Sequence, residues 1–309
     1  MTYPKRDTFQ PAMVRVPVFG PDFICIGMAR AGTGWLFHQL LYHPDFWLPP
    51  VKELAYLKQD TPALRGDAKK RYKRLKAGVD NRWKKVLGYA NRRPNDRRDL
   101  EFLEEVRAGA GEPLQMGRYA ALFRFKEDAL SGDITPGYCT LQEEKIAQLG
   151  TNLPHTKIIL LVRDPVDRAW SRICMWFRRG IVKSEVLENP AAFGAFISSE
   201  KFNRESFPTR VLERWKQAAP ALPLRYYLFD DIAREPNRAR HEILGFLGAD
   251  PDKTSGELGA GYNKKGSSDK LELTPDMKAA LVTHFREELL ACADVFGGEA
   301  RNWKSRYDI

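Results

Sequence analysis

Apolar and polar positions change in blocks along the chain, and the first clear block is FICIG at residues 23–27. Four of these five residues are apolar, and the run from Val14 to Gly27 predicts a buried strand. From Gly32 to Tyr42 the apolar residues return with the 3.6-residue period of a helix. The glycine-bearing turn GMARAGTG therefore joins a strand to a helix.

The same order of elements returns twice further along the chain. TKIILLVRDP predicts a second buried strand, which ends at Asp164-Pro165 and is followed by a helix from Val166 to Arg179. LRYYLF predicts a third strand, and a last helix is predicted from about Pro275 to Val295. Strands that alternate with helices predict an α/β fold, with a parallel sheet flanked by helices on both faces.

The segment between the first two strands has a different character. Residues 66–130 predict charged helices interrupted by glycine, asparagine and proline. The chain shows no internal repeat and no low-complexity segment. We therefore expect a single domain over residues 1–309, with a basic helical insertion at about 60–130.

The positive charge of the chain is concentrated in this insertion. The net charge is +10, and residues 65–98 contain fourteen Lys and Arg but only three Asp, so the other residues together carry about −1. Such a segment predicts contact with an anionic membrane or a polyanion, and the alternative is a solvated helical face. A nucleic-acid partner is disfavoured, because no zinc-finger or RNA-recognition pattern is present.

Cysteine spacing and hydropathy limit the class of protein further. The four cysteines show no paired spacing, which disfavours a disulfide framework and a zinc site and predicts reduced, buried thiols. The sequence contains no run of eighteen apolar residues, so no transmembrane segment is predicted. The N-terminus lacks the apolar stretch of a signal peptide. A cytoplasmic location is therefore expected.

The turn GMARAGTG has the glycine spacing of the phosphate-binding motif G-x-x-x-x-G-K-S/T, but Thr33 replaces the lysine and Gly34 replaces the magnesium-binding hydroxyl. Both changes disfavour a kinase or nucleotidase, which remains the alternative function. The backbone N–H groups from Ala31 to Trp35 at a helix N-terminus still predict an anion site. Arg30 adds a fixed positive charge.

Residues 29–35, ARAGTGW, resemble the loop of sulfotransferases that use 3′-phosphoadenosine 5′-phosphosulfate (PAPS). LVRDPVDRAWS resembles a second motif of that family, in which Arg163 and Ser171 bind the 3′-phosphate. The resemblance, closest to bacterial and heparan-sulfate-type members, implies a P-loop NTPase-like fold, PAPS as co-substrate, adenosine 3′,5′-bisphosphate as product and no metal. It also implies nucleotide contacts from the loop residues Arg30, Ala31, Gly32, Thr33, Gly34 and Trp35.

The position of Arg163 at the end of a predicted strand also favours a phosphate-binding role, with an ion pair as the alternative. An arginine at the C-terminal end of a parallel strand points into the crevice where ligands bind, and guanidinium can pair with phosphate through two hydrogen bonds. Arg163 could instead pair with Asp164 or Asp167. Ser171 considered alone would be an exposed or capping serine, and Trp35 could be a core residue rather than a partner for the adenine.

The resemblance continues in three further segments. LPPVKELAYL places Glu53 at the position of the family's catalytic base, and a salt bridge with Lys52 is the alternative. SGDITPGYCTL resembles a segment that maps to Thr135, Pro136 and Tyr138. GYNKKGSS resembles a late basic loop, in which Lys264, Lys265 and Gly266 would close over the 3′-phosphate, although such a turn is also a common surface loop.

Several positions depart from the family pattern and concern the acceptor. Arg30 stands where many members have lysine, so charge stabilisation is expected of it rather than proton donation. Ile134 and Ala55 replace a lysine and a histidine of the heparan-type enzymes. The expected function is sulfuryl transfer to a hydroxyl or amine of a small-molecule, lipid or saccharide acceptor, and the non-enzymatic alternative is an anion-binding member of the fold.

Overall fold

Four parallel strands form the sheet of this computed structural model, which describes residues 19–64, 66–77, 97–253 and 271–309. They are β1 (Phe23–Gly27), β2 (Gly132–Ile134), β3 (Lys157–Val162) and β4 (Leu224–Leu228), and they lie in the order β2-β1-β3-β4. All three pairings are parallel. The C-terminal ends of the strands therefore meet at one edge of the sheet, which is where open α/β sheets bind ligands.

The two central strands are buried on both faces. All of β1 and all but the first residue of β3 are buried, as expected for strands covered by helices on both sides. Phe23 pairs with Gly132 across β1 and β2. A Cβ atom at Gly132 would lie 2.4 Å from the Phe23 ring, so only glycine lets these two strands approach.

Helices account for most of the remaining described residues. None of them is long and apolar enough to cross a membrane, a finding that covers the described part of the chain alone. Short 3₁₀ turns occupy Tyr56–Lys58, Leu122–Lys126 and Pro136–Thr140. The α-helices are α1 (Thr33–Leu41), α2 (Gly66–Lys76), α3 (Arg97–Ala108), α4 (Met116–Ala121), α5 (Glu143–Asn152), α6 (Pro165–Arg178), α7 (Ser184–Glu188), α8 (Pro190–Ser198), α9 (Glu200–Asn203), α10 (Pro208–Ala218), α11 (Phe229–Arg234), α12 (Pro236–Leu247), α13 (Pro275–Phe296) and α14 (Ala300–Arg306).

The predicted α/β class is confirmed, and the three strands predicted from the sequence are β1, β3 and β4. Helices α1, α6 and α13 begin and end within two residues of the predicted bounds. Strand β2 was not predicted, because three residues are too few for a periodic pattern. The first part of the predicted strand Val14–Gly27 lies outside the described residues. The four cysteines are free and buried, as predicted.

Helices α2, α3 and α4 lie within the predicted basic insertion and pack on the rest of the chain. Phe102 of α3 and Tyr119 of α4 are completely buried and belong to the same apolar cluster as the sheet. Residues 78–96 lie outside the described part of the chain. The division into one domain with an insertion at about 60–130 stays a prediction.

Helix α6 is fixed at its N-terminus by a buried carboxylate. Asp164 caps the helix by accepting hydrogen bonds from the backbone N–H groups of Val166 and Asp167. Its other oxygen accepts from Arg306 at 3.0 Å and from the Tyr307 hydroxyl at 2.9 Å. Burial raises the pKa of Asp164 to about 6. The cap fixes the backbone at the end of β3, where the candidate site lies.

Candidate active site

The glycine-bearing turn after β1 adopts a backbone conformation that few residues tolerate. Arg30 has a φ of 71° and Gly32 a φ of 99°, both in the left-handed region. A side chain at Gly32 would also lie 3.1 Å from the ring of Phe229, the first residue of α11. Such strain in a non-glycine residue like Arg30 is concentrated at functional sites in proteins. The turn thus requires glycine at position 32, where it packs closely against Phe229 of α11.

The structure brings together three residues that the sequence predicted for one site. The Arg30 Nε atom donates a hydrogen bond to the Ser171 hydroxyl at 2.9 Å, across 141 positions of sequence. The Arg163 Nη1 atom donates to the carbonyl oxygen of Arg30 at 3.2 Å, across 133 positions. The turn after β1 and the arginine–serine pair after β3 therefore form one site at the C-terminal edge of the sheet.

Arg163 is held by contacts on both sides of its guanidinium group. The Cζ atom lies 4.8 Å from the centre of the Phe229 ring, a cation–π distance. Asp167 lies 3.9 Å from its Nη2 atom, so that ion pair of the sequence alternatives is present as a long contact. The other predicted carboxylate, Asp164, pairs with Arg306 instead. Phe229 was predicted only as the last residue of the strand LRYYLF, whereas the structure places it first in α11.

Positive charge at this site exceeds the negative charge around it. Partial burial lowers the pKa of Arg30, and repulsion from Arg163, Arg178 and Arg179 lowers it further. An arginine nevertheless keeps its proton at any physiological pH. Helix α1 begins at Thr33 with no acidic residue in its first turn, so the positive end of its dipole adds to the field. The arrangement favours an anionic ligand.

One predicted donor of the turn is occupied. The N–H of Ala31 donates to the carbonyl oxygen of Met28 at 3.1 Å, which closes the turn on itself. The predicted anion cradle over residues 31–35 therefore begins at Gly32 rather than at Ala31. The reason is geometric, because a turn this tight uses one of its own N–H groups to satisfy one of its own carbonyl groups.

Glu53 lies in a second loop at the same edge of the sheet. Its backbone N–H donates to the carbonyl oxygen of Ile134, the last residue of β2, at 3.1 Å. Its φ of 63° is again left-handed. The carboxylate lies 2.7 Å from the Lys52 ammonium group, and 55% of the side chain is exposed. The predicted salt bridge is present, and it leaves the carboxylate accessible from solvent.

The buried carboxylate of Asp133 supports the loop that contains Glu53. Asp133 of β2 accepts hydrogen bonds from the hydroxyls of Thr135 at 2.6 Å, Tyr138 at 2.6 Å and Tyr119 at 3.1 Å. The hydroxyls of Thr135 and Tyr138 in turn accept the N–H groups of Ala55 and Leu57. Burial raises the pKa of Asp133, while the three hydroxyl donors favour its charged form. Asp133 was not singled out from the sequence, although the motif SGDITPGY contains it.

A profile of the sulfotransferase family matches residues 21–253, which is well over half of the chain. The chain belongs to the sulfotransferase family. Members of this family are transferases of sulfuryl groups, so the site described above belongs to an enzyme of that class. A search of curated protein sequences returns no significant match.

One solved structure of a sulfotransferase agrees with the family assignment at the level of fold. A sulfotransferase from Alicyclobacillus acidocaldarius superposes with a TM-score of 0.60 at 18% identity, over 92% of this chain and 98% of that one. The sulfotransferase domain of the Synechococcus PCC 7002 olefin synthase is also 18% identical, with a TM-score of 0.44, over 90% of this chain and 98% of that one. The first likeness identifies the P-loop NTPase-like fold of sulfotransferases.

Three predicted site residues of this sulfotransferase, Lys264, Lys265 and Gly266, lie outside the described residues. Trp35 is 3% exposed and belongs to the apolar core, which favours the packing alternative over stacking on an adenine. His43 is buried, and its Nε2 atom lies 3.0 Å from the Asp250 carbonyl oxygen, consistent with a packing role. The sequence motifs thus predicted residues that the structure brings together, Arg30, Arg163 and Ser171, while their role in binding stays a prediction.

Proposed function

We propose that this sulfotransferase transfers the sulfuryl group of PAPS to a hydroxyl or amine of an acceptor molecule. The observation that carries the proposal is the contact of Arg30 with Ser171 at 2.9 Å, together with that of Arg163 with the Arg30 carbonyl at 3.2 Å. PAPS carries an anionic group at each end of its ribose. A site that joins two separate cationic elements suits a ligand with two such groups.

The two elements have different roles in the proposed complex. Arg30 and the N-terminus of α1 face the 5′-phosphosulfate, and Arg163 and Ser171 hold the 3′-phosphate. The Ser171 hydroxyl accepts its hydrogen bond from Arg30, so its own proton remains available for a phosphate oxygen. Arg163 keeps a second nitrogen, whose nearest carboxylate, Asp167, is 3.9 Å away and easily displaced by a doubly charged phosphate.

The proposed reaction is an in-line displacement at sulfur. The acceptor oxygen forms a bond to sulfur as its proton passes to the Glu53 carboxylate, and the bond from sulfur to the 5′-phosphate oxygen breaks. The bonding electrons leave with adenosine 3′,5′-bisphosphate. Arg30 stabilises the negative charge that builds on the bridging oxygen. Gly34 has no hydroxyl at the position where kinases of this motif bind magnesium. For an amine acceptor, Glu53 takes a proton from nitrogen instead.

Nucleotide selectivity is the first test of the proposal. Adenosine 3′,5′-bisphosphate without Mg²⁺ should raise the unfolding temperature, with about 2.7 kcal/mol of stabilisation at one hundred times its Kd. ATP with Mg²⁺ should give a much smaller shift, because the loop lacks the kinase lysine. The measurement is thermal unfolding with each nucleotide, with and without EDTA. Stabilisation by ATP that requires Mg²⁺, and none by the bisphosphate, would support the kinase alternative instead.

The acceptor is proposed to be an anionic molecule that approaches along α2. Lys73 and Arg74 are exposed on this helix and available to a ligand. Arg71 is different, because it lies 3.8 Å from Asp99, whose side chain is 1% exposed. The described part of the basic segment thus contains both solvent-facing charges and a structural one. A peripheral contact of residues 65–98 with an anionic membrane or a polyanion would use the same solvent-facing charges.

Charge reversal at Lys73 and Arg74 together should raise the acceptor KM several-fold. It should leave bisphosphate affinity unchanged, because both residues are exposed on α2 and the nucleotide is proposed to bind at Arg30, Arg163 and Ser171. Steady-state kinetics with labelled PAPS and calorimetric titration of the bisphosphate provide the two readouts. Arg71→Glu serves as the contrasting variant, since it should destabilise the fold by placing a second carboxylate beside Asp99. An unchanged acceptor KM would remove α2 from the acceptor site.

A further inference from the structure

Helix α6 ends at Arg178 and is followed directly by Arg179, and no motif of the sequence accounts for these two arginines. Arg178 and Arg179 are exposed, and neither forms an ion pair with a carboxylate in the described ranges. Both lie close enough to Arg30 to repel its charge. The arginine group consists of Arg30, Arg163, Arg178 and Arg179. Within the described residues, the one carboxylate that forms an ion pair within 4 Å of this group is that of Asp167, which lies 3.9 Å from Arg163. The group therefore carries a positive charge that the described protein does not balance.

Helix geometry places Arg178 on the same face as Ser171. The two positions are seven residues apart, which is almost two full turns, so their Cα–Cβ directions differ by only about 20°. Their separation along the helix axis is about 10 Å, and a long helical side chain leans back toward the N-terminus. The charge of Arg178 also acts on Cys174, which lies between them on this face. Helix geometry therefore allows an extended Arg178 side chain to reach toward the Ser171 hydroxyl.

We propose that Arg178 is a further nucleotide-binding residue that contacts the 3′-phosphate of the co-substrate from the side opposite Arg163, with Ser171 between them. This inference rests on the proposed function, because it takes the 3′-phosphate to lie at Arg163 and Ser171. The cluster then distinguishes a 3′-phosphorylated nucleotide from one that carries only a 5′-phosphate. Arg179, one position further round the helix, strengthens the field without facing Ser171.

The test compares two nucleotides on one set of variants by isothermal titration calorimetry. Adenosine 3′,5′-bisphosphate and adenosine 5′-monophosphate differ only in the 3′-phosphate. Arg178→Ala should weaken the bisphosphate about tenfold and the monophosphate less than threefold, because a hydrogen bond to a charged group is lost for the first ligand alone. Arg178→Lys should recover part of the loss, since it keeps the charge without the planar fork.

Arg286→Ala is the matched control, because Arg286 is also an exposed arginine on a long helix, α13. It should change neither affinity, and unfolding temperatures without ligand should show that every variant folds. An equal loss for both nucleotides, or no loss for the bisphosphate, would overturn the role of Arg178 while leaving the proposed function intact. Failure of the wild-type chain to bind either nucleotide would instead overturn the proposed function, and this inference with it.

Discussion

Glu53→Gln should lower kcat by at least about a hundredfold and leave the affinity for adenosine 3′,5′-bisphosphate unchanged. The amide keeps the size of the side chain but cannot take the acceptor's proton. The carboxylate is 55% exposed and lies 2.7 Å from Lys52, so its removal leaves no buried group without a partner. Single-turnover transfer from labelled PAPS measures the rate, and calorimetric titration of the bisphosphate measures binding.

Two further variants separate catalysis from a structural salt bridge. Lys52→Ala breaks the same ion pair and should lower kcat far less than Glu53→Gln. Glu127→Gln is the matched control, because Glu127 is also an exposed glutamate with a left-handed φ, 52°, and pairs with a basic residue, Arg98, at 3.1 Å. It should not alter turnover. Equal losses for Lys52→Ala and Glu53→Gln would identify the ion pair as structural, and retained turnover in Glu53→Gln would move the base elsewhere.

The cluster of Arg30, Arg163 and Ser171 could be predicted because the information that places these residues is local. Arg30 lies in a turn between a strand and a helix, and Arg163 and Ser171 lie at a fixed spacing across another strand–helix junction. Both junctions follow from hydrophobic periodicity within about twenty residues. In parallel sheets, such junctions meet at one edge. The contact of Arg30 with Ser171, 141 positions apart, is the consequence.

Other parts of the site depend on neighbours that periodicity does not reveal. Phe229 closes on Gly32 and Arg163 only because α11 begins directly at the end of β4. In the sequence, Arg178 cannot be told from other charged residues at helix ends. Its relation to the candidate site follows from the contact of Arg30 with Ser171 of the same helix. Trp35 matched the family's nucleotide-stacking position, yet packing against the core decides its burial. Local sequence thus identifies the strand–helix junctions, and tertiary packing decides which side chains lie together at the candidate site.

Asp133 is a buried residue that supports the segment carrying the proposed base. Its side chain is 2% exposed and accepts three hydroxyl hydrogen bonds, from Thr135, Tyr138 and Tyr119. Two of those hydroxyls hold backbone N–H groups in the segment that follows Glu53. The buried Asp133 carboxylate therefore supports, through two hydroxyl groups, the segment that directly follows the proposed base. A buried network of this kind is strong only when every member is satisfied.

Asp133→Ala should accordingly destabilise the fold by about 3–4 kcal/mol, because it leaves three buried hydroxyls without their acceptor. Asp133→Asn keeps one acceptor oxygen and should lose less stability, and it should lower kcat while bisphosphate affinity is retained. Urea unfolding and single-turnover transfer give the two readouts. The reason for the kinetic loss is that the Glu53 segment loses part of its support.

Asp22→Ala is the control for this separation of effects. Asp22 accepts hydrogen bonds from Lys126 at 2.7 Å and from the Ser131 N–H at 2.7 Å. Asp22 and Ser131 directly precede β1 and β2, at the N-terminal ends of these strands and away from the candidate site. Its removal should lower stability with no change in kcat for the fraction that remains folded. If Asp133→Asn and Asp22→Ala lowered stability equally and neither changed kcat, the role of Asp133 would be structural, with no effect on the proposed base. A kcat loss confined to Asp133→Asn would instead link the buried hydroxyl network to the position of the base.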